Sequence, residues 1–172
     1  MVAEPGLIAD VGAALAASEL QPEHLVLELT ETAMLRDPDT IAERMGELKR
    51  LGVRLAVDDF GTGSASLRNL ARFPIDVLKV DRSFVSRIGI DQRQTAIAGS
   101  IVRLGQSLEM VVVGEGIETP DQLAQLLVLG CGYGQGFLLG RPSRADELER
   151  LLEQLVPRDG TGARGPLEPI SR

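Results

Sequence analysis

The chain has 172 residues, enough for one domain with a packed core, and its 44% apolar content is ordinary for a globular protein. Tryptophan is absent and aromatic residues make up 3%, so Val, Leu, Ile and Ala must fill that core. The formal charge of −7 argues against a nucleic-acid polymer as the main partner, but not against a phosphate ligand, because bound cations reverse the local sign. Cys131 is the single cysteine, which excludes an intrachain disulfide and reads as a small buried apolar residue. His24 is also single and reads as a loop or strand-edge residue. No apolar run approaches the roughly 20 residues of a membrane span, and Met1 to Pro5 lack the pattern of a signal peptide. A cytoplasmic location is the expectation.

The elements follow in chain order. Leu7 to Leu20 has helical periodicity and ends at Gln21-Pro22-Glu23. Leu25 to Thr30 is a short strand. Asp37-Pro38 opens a helix, with Asp37 as N-cap and Pro38 in the first turn, and Gly52 closes it. Val53 to Asp58 is the second strand, followed by Asp59 and a Gly-X-Gly bend. Leu67 to Phe73 is a short helix stopped by Pro74. Val77 to Asp81 is the third strand, Gln94 to Leu108 a helix, and Met110 to Glu115 the fourth strand. Thr119-Pro120 caps a helix reaching Gly130, Tyr133 to Phe137 is a glycine-rich fifth strand, and Asp146 to Val156 is a last helix. From Pro157 the sequence is rich in Gly, Pro and charge and predicts a disordered tail over 157–172. Strands and helices alternate, and the strands are continuous apolar runs. That pattern predicts a parallel α/β sheet covered by helices, either doubly wound or a (β/α) barrel. In both architectures function gathers at the C-terminal strand ends.

Those ends carry Glu28, then Asp58 and Asp59, then Lys79 and Asp81, then Glu115 and Glu118, then Gln135. A single charged residue leaving a strand is usually just solvated. Five strands repeating the pattern converge on one mouth, which favours a site. Two adjacent carboxylates repel unless a cation or proton lies between them, and hard divalent cations such as Mg²⁺ or Mn²⁺ take oxygen ligands of this kind. Lys79 interrupts a run that is otherwise apolar. It reads either as a lysine that snorkels to the surface or pairs structurally with Asp58 or Asp81, or as a cation acting beside metal-activated water, with the last reading preferred.

Five segments now match a family in order: Glu28-Leu29-Thr30-Glu31, Asp58-Asp59-Phe60-Gly61-Thr62-Gly63, Leu78-Lys79-Val80-Asp81, Gly114-Glu115-Gly116-Ile117-Glu118-Thr119, and Gln135-Gly136-Phe137 with Gly140-Arg141-Pro142. Together, over about residues 6 to 155, they resemble the EAL-domain family of cyclic di-GMP phosphodiesterases. The resemblance implies a TIM-like barrel and hydrolysis of cyclic di-GMP to linear pGpG with two Mg²⁺ or Mn²⁺ ions. It implies that Glu28 binds the first metal, Asp58 bridges both, and Asp59 binds the second, which Glu115 helps to hold through its water shell. It places Lys79 at the nucleophilic water, supported by Gln135, with Glu31 anchoring the loop that follows the aspartates. Asp81 and Glu118 would support the metal ligands from behind, and Arg141 and Pro142 would contact substrate.

The sequence also departs from the family. The upstream strands, the Glu-Ala-Leu motif and an Asn-X-Ser segment are not present before Glu4-Pro5-Gly6. The resemblance therefore implies an N-terminally incomplete barrel domain over residues 1–156, holding about half of the first metal's protein ligands. Expected consequences are impaired turnover and pairing with a second copy or with a missing N-terminal segment. Ser64 and Ala65 stand where the family has a tyrosine and a serine, and Gly114 replaces a common alanine. Two functional readings stay open: the phosphodiesterase, and a non-catalytic cyclic di-GMP receptor or interaction module.

Overall fold

The computed structural model describes residues 6–63, 70–144 and 147. The chain divides into two compact units, Met1–Leu139 and Gly140–Arg172. The first unit runs α1 (Leu7–Ser18), a 3₁₀ turn (Pro22–His24), β1 (Val26–Thr30), α2 (Glu31–Leu35), α3 (Pro38–Arg50), β2 (Arg54–Phe60) and β3 (Val77–Val80). It continues with α4 (Arg82–Val85), α5 (Gln92–Ser107), β4 (Val111–Glu115), α6 (Pro120–Val128) and β5 (Tyr133–Gln135). In the second unit, residues 140–144 form no regular element. The predicted helix over 146–156 and the tail over 157–172 lie outside the described residues, apart from Glu147, and so do residues 67–69 of the predicted helix over 67–73.

The five strands form one sheet in the order β1-β2-β3-β4-β5, and every neighbouring pair is parallel. Parallel neighbours need a crossover, which the intervening helices supply. Leu29, Leu55, Val57, Leu78, Val80 and Val112 project to the helix-covered face and pack with Met45, Leu48, Ile101, Val102 and Leu126. The expected burial on both faces holds only in the centre. All four residues of β3 are buried, as are Leu55, Ala56 and Val57 of β2, whereas β1 and β4 alternate in burial and β5 is exposed. Central strands have neighbours on both sides, and among the described residues β1 and β5 are edges.

The caps follow from the local sequence. Asp37 accepts from the Thr40 N–H at the start of α3. Thr119 and Gln122 form a reciprocal capping box on α6. Three short elements were not predicted: the 3₁₀ turn, which contains His24, and helices α2 and α4. Cys131 is buried as expected, and burial pushes its thiol above the usual range. Gly114 does more than replace an alanine. A Cβ there would lie 2.7 Å from Leu126 Cδ1, so the missing methyl makes room for the α6 side chain that covers β4.

At the N-terminal end of the sheet, Asp76 ties three strands together. Its carboxylate accepts from Lys49 Nζ at 2.7 Å and from the Leu55 N–H at 2.8 Å. Its own N–H donates to Leu55 O, and its carbonyl accepts from the Val111 N–H, each at 2.9 Å. Asp76→Ala leaves Lys49 and the Leu55 N–H without their acceptor. Because both charged side chains are partly exposed, the expected loss is about 2 kcal/mol, toward the low end for charged hydrogen bonds. Urea denaturation of the variant beside the parent chain measures it.

Candidate metal and phosphate site

The C-terminal mouth of the sheet is built around a local irregularity in β2. Val57 pairs with Leu78 and Phe60 with Val80, so three steps on β2 match two on β3. The extra residue is a β-bulge at Asp58-Asp59. Asp59 takes a left-handed conformation (φ 55°), which aspartate tolerates better than most side chains do. In a regular strand, adjacent residues face opposite sides. The bulge breaks that alternation, so both carboxylates reach the same cluster. One oxygen each from Asp58, Asp59 and Glu115 lies within 4.8 Å of the others. The sequence placed Asp58 at the strand end and Asp59 after it, whereas β2 runs through both to Phe60.

Lys79 reaches the same place from β3. It is 6% exposed, and its ammonium donates to Glu28 Oε2 at 2.8 Å, Asp58 Oδ1 at 3.0 Å and Glu115 Oε1 at 2.7 Å. Three N–H donors thus meet three carboxylates from three strands. Burial opposes the positive charge, but the hydrogen bonds that the ammonium donates to Glu115, Glu28 and Asp58 outweigh it and hold the ammonium well above the usual lysine range. Burial pushes the Glu115 carboxyl up, against the pull of Lys79 and with the Asp58 charge adding to it. Asp59 is also raised, first by burial and then by the charges of Asp58 and Asp81. The cluster therefore holds more negative charge than its one lysine neutralises.

The remaining predicted residues of the first unit divide into those near this centre and one apart from it. Glu31, the first residue of α2, is buried, and its Oε2 accepts from the Gly61 N–H at 3.0 Å and the Gly63 N–H at 3.3 Å. Asp81 adds its charge to that of Asp58 in raising the Asp59 carboxyl, and it caps α4 through the Ser83 N–H at 2.9 Å. Despite the opposing effect of burial, the bonds from Ser83 hold Asp81 below the usual carboxylate range. Gln135 sits in register opposite Glu115. Glu118 stands apart from the three-carboxylate cluster and pairs with Arg82 at 2.7 Å. Arg141 and Pro142 belong to the second unit and are exposed.

Arg82 and Asp76 were missed in the sequence. Asp81-Arg82-Ser83, an N-cap motif directly after a strand, was the available signal for the first. A lone acid before the Val77-Leu78 run was the signal for the second.

Fold and site together define a parallel α/β protein with a carboxylate-and-lysine centre at the C-terminal mouth of its sheet. The family model for the EAL domain matches residues 1–142, and the chain belongs to the EAL domain family. It is 44% identical over 146 residues to the bifunctional diguanylate cyclase/cyclic di-GMP phosphodiesterase MucR of Pseudomonas aeruginosa, covering 85% of this chain and 21% of that protein. The solved PaMucR phosphodiesterase in complex with c-di-GMP superposes with a TM-score of 0.82 at 44% identity, over 86% of this chain and 60% of that one. The EAL domain of Mycobacterium smegmatis DcpA gives a TM-score of 0.82 at 33% identity, over 94% and 69% of the two chains. Klebsiella pneumoniae BlrP1, solved with manganese and cyclic di-GMP, gives 0.76 at 36% identity, over 81% and 36%. The chain thus spans about a fifth of the length of the curated relative it matches. Its fold is of the TIM-like barrel type, with a sheet that runs from β1 to β5 without closing among the described residues. No helix among the described residues is long and apolar enough to cross a membrane.

Proposed function

We propose that the chain carries the catalytic face of a phosphodiesterase that hydrolyses cyclic di-GMP to linear pGpG with divalent metal ions. The observation that carries this reading is the convergence of Asp58, Asp59 and Glu115 within 4.8 Å beside a saturated lysine ammonium. The donor set fits a hard divalent cation: three carboxylates without imidazole or thiolate, which suits Mg²⁺ or Mn²⁺. Family membership and the ligands named in the MucR and BlrP1 structures support the same substrate and the same class of metal.

Asp58, Asp59 and Glu115 would hold the metal, with Glu28 as a further ligand at the edge of the site. Bound there, divalent ions would neutralise phosphate charge and activate water for in-line attack. Lys79 would stand beside the attacking water and offer its ammonium to the anionic phosphate oxygens. Glu31 holds the backbone of Gly61 and Gly63, which fixes the loop after the aspartates. Asp81 would act on Asp59 through its neighbouring negative charge, and Gln135 stands in register beside Glu115. Arg141 and Pro142 are assigned to ligand contact on the sequence match.

A second reading, a cyclic di-GMP receptor without turnover, is favoured by one observation. Glu28 is absent from the three-carboxylate cluster, so the first metal's ligand set is thin. Chromatography of cyclic di-GMP incubated with the purified chain and Mn²⁺ separates the two readings. The enzyme produces pGpG, and a chelator stops it. Retention of intact cyclic di-GMP in equilibrium dialysis, with no pGpG formed, supports the receptor and contradicts the enzyme.

A further inference from the structure

The Lys79 ammonium already occupies the place of a cation. Its three donors are used one each on Glu28, Asp58 and Glu115, two of which belong to the proposed metal ligands closest to the cluster's centre. Its stem is buried in the fully buried strand β3, so the charged head cannot move far into solvent. A divalent ion entering the cluster must take carboxylate oxygens that now face this ammonium, and it then sits a few ångströms from a fixed like charge.

Resting on the metal-centre reading above, we propose that Lys79 is a built-in competitor of the metal: it holds the carboxylates together when no metal is bound and weakens the hold of the divalent ion when one binds. The lysine thereby keeps the metal exchangeable and sets the divalent-ion concentration at which the site fills. Carboxylates that lack this partner would bind a divalent ion more tightly, because the cluster's negative charge would be neutralised by the metal alone.

The test is Mn²⁺ affinity, read from the loss of the free-ion electron paramagnetic resonance signal in the parent chain, Lys79→Met and Lys79→Arg. Lys79→Met removes the charge and keeps a buried stem, and its dissociation constant is expected to fall about tenfold or more. Lys79→Arg keeps the charge and is expected to stay within about threefold of the parent. A second measurement needs no variant. The chain has two lysines, Lys49 and Lys79, so lysine-selective ¹⁵N labelling gives two ammonium signals. Lys49 is held by Asp76 at the other end of the sheet and serves as the internal control. Saturating Mg²⁺ is expected to shift the Lys79 signal and leave the Lys49 signal in place.

Parent binding without a gain in Lys79→Met overturns this inference alone, as does a Lys79 signal unmoved at Mg²⁺ saturation. If neither the parent nor any variant binds Mn²⁺, this inference falls together with the metal-centre reading.

Discussion

Asp58→Asn is expected to lower Mn²⁺-dependent hydrolysis of cyclic di-GMP about a thousandfold, with the fold intact. The asparagine keeps the size of the side chain and an oxygen that still accepts from Lys79 and from the Asp59 N–H, both of which contact Asp58 Oδ1. What it removes is one negative charge at the point where the proposed metal site and the lysine meet. A thousandfold loss corresponds to about 4 kcal/mol of transition-state stabilisation, within the range for deleting one electrostatic element of a preorganised site. Global stability should change little, since the substitution also relieves repulsion with Asp59 and Glu115. Initial rates by chromatography and a thermal melt of the same preparation give both numbers. Turnover within threefold of the parent, with folding preserved, would remove Asp58 from the chemistry.

Gly136→Ala has the second large expected effect, and it acts through the backbone. A Cβ at Gly136 would lie against the backbone N and O of Ile117. Those two atoms are committed: the Ile117 N–H donates to Gln135 O at 3.1 Å, and Ile117 O accepts from the Leu138 N–H at 3.0 Å. The methyl cannot be absorbed by a side chain turning aside, because its neighbours are main-chain atoms. Breaking both bonds while also straining the crossing of half-buried Gly136 over buried Ile117 is expected to cost about 2–4 kcal/mol. Because Gln135 pairs with Glu115 in register, turnover should fall as well. Gly132→Ala is the matched control, since nothing lies within 4 Å of the Cβ it would add. Urea denaturation of the two variants should place them far apart, with the control within about 0.5 kcal/mol of the parent. Equal stabilities would show that β5 shifts freely and does not hold the mouth of the sheet.

The strands and their polar ends were legible because each apolar run stops at a charged or amide residue, as Val57 stops at Asp58 and Val113-Gly114 at Glu115. Parallel topology then carries such residues to one side of the sheet. The helix starts at Asp37-Pro38 and Thr119-Pro120 were legible because a cap and an N-terminal proline are local chemistry, and both are present. The bulge was not legible. Its key residue, Asp59, takes a left-handed backbone with no glycine to announce it, and the register shift depends on β3, about 20 residues further on. The Lys79 cluster was half legible. Lys79 stood out as a charge inside a buried run, but its partners lie on three different strands, and Glu28 is 51 positions away. The pairing of Arg82 with Glu118, from neighbouring strand ends, was hidden for the same reason. Continuous burial was overestimated for β1, because an apolar run does not say which strand lies at an edge, and for β4, which alternates in burial although it pairs with both β3 and β5.

Asp58, Asp59 and Glu115 are proposed to form a divalent-metal centre. Anomalous X-ray diffraction from crystals of this chain grown with MnCl₂ tests it most directly. A manganese peak is expected within bonding distance of carboxylate oxygens from all three residues. A fully ordered cluster with no peak, Lys79 still bridging Glu28, Asp58 and Glu115 at saturating manganese, would contradict it.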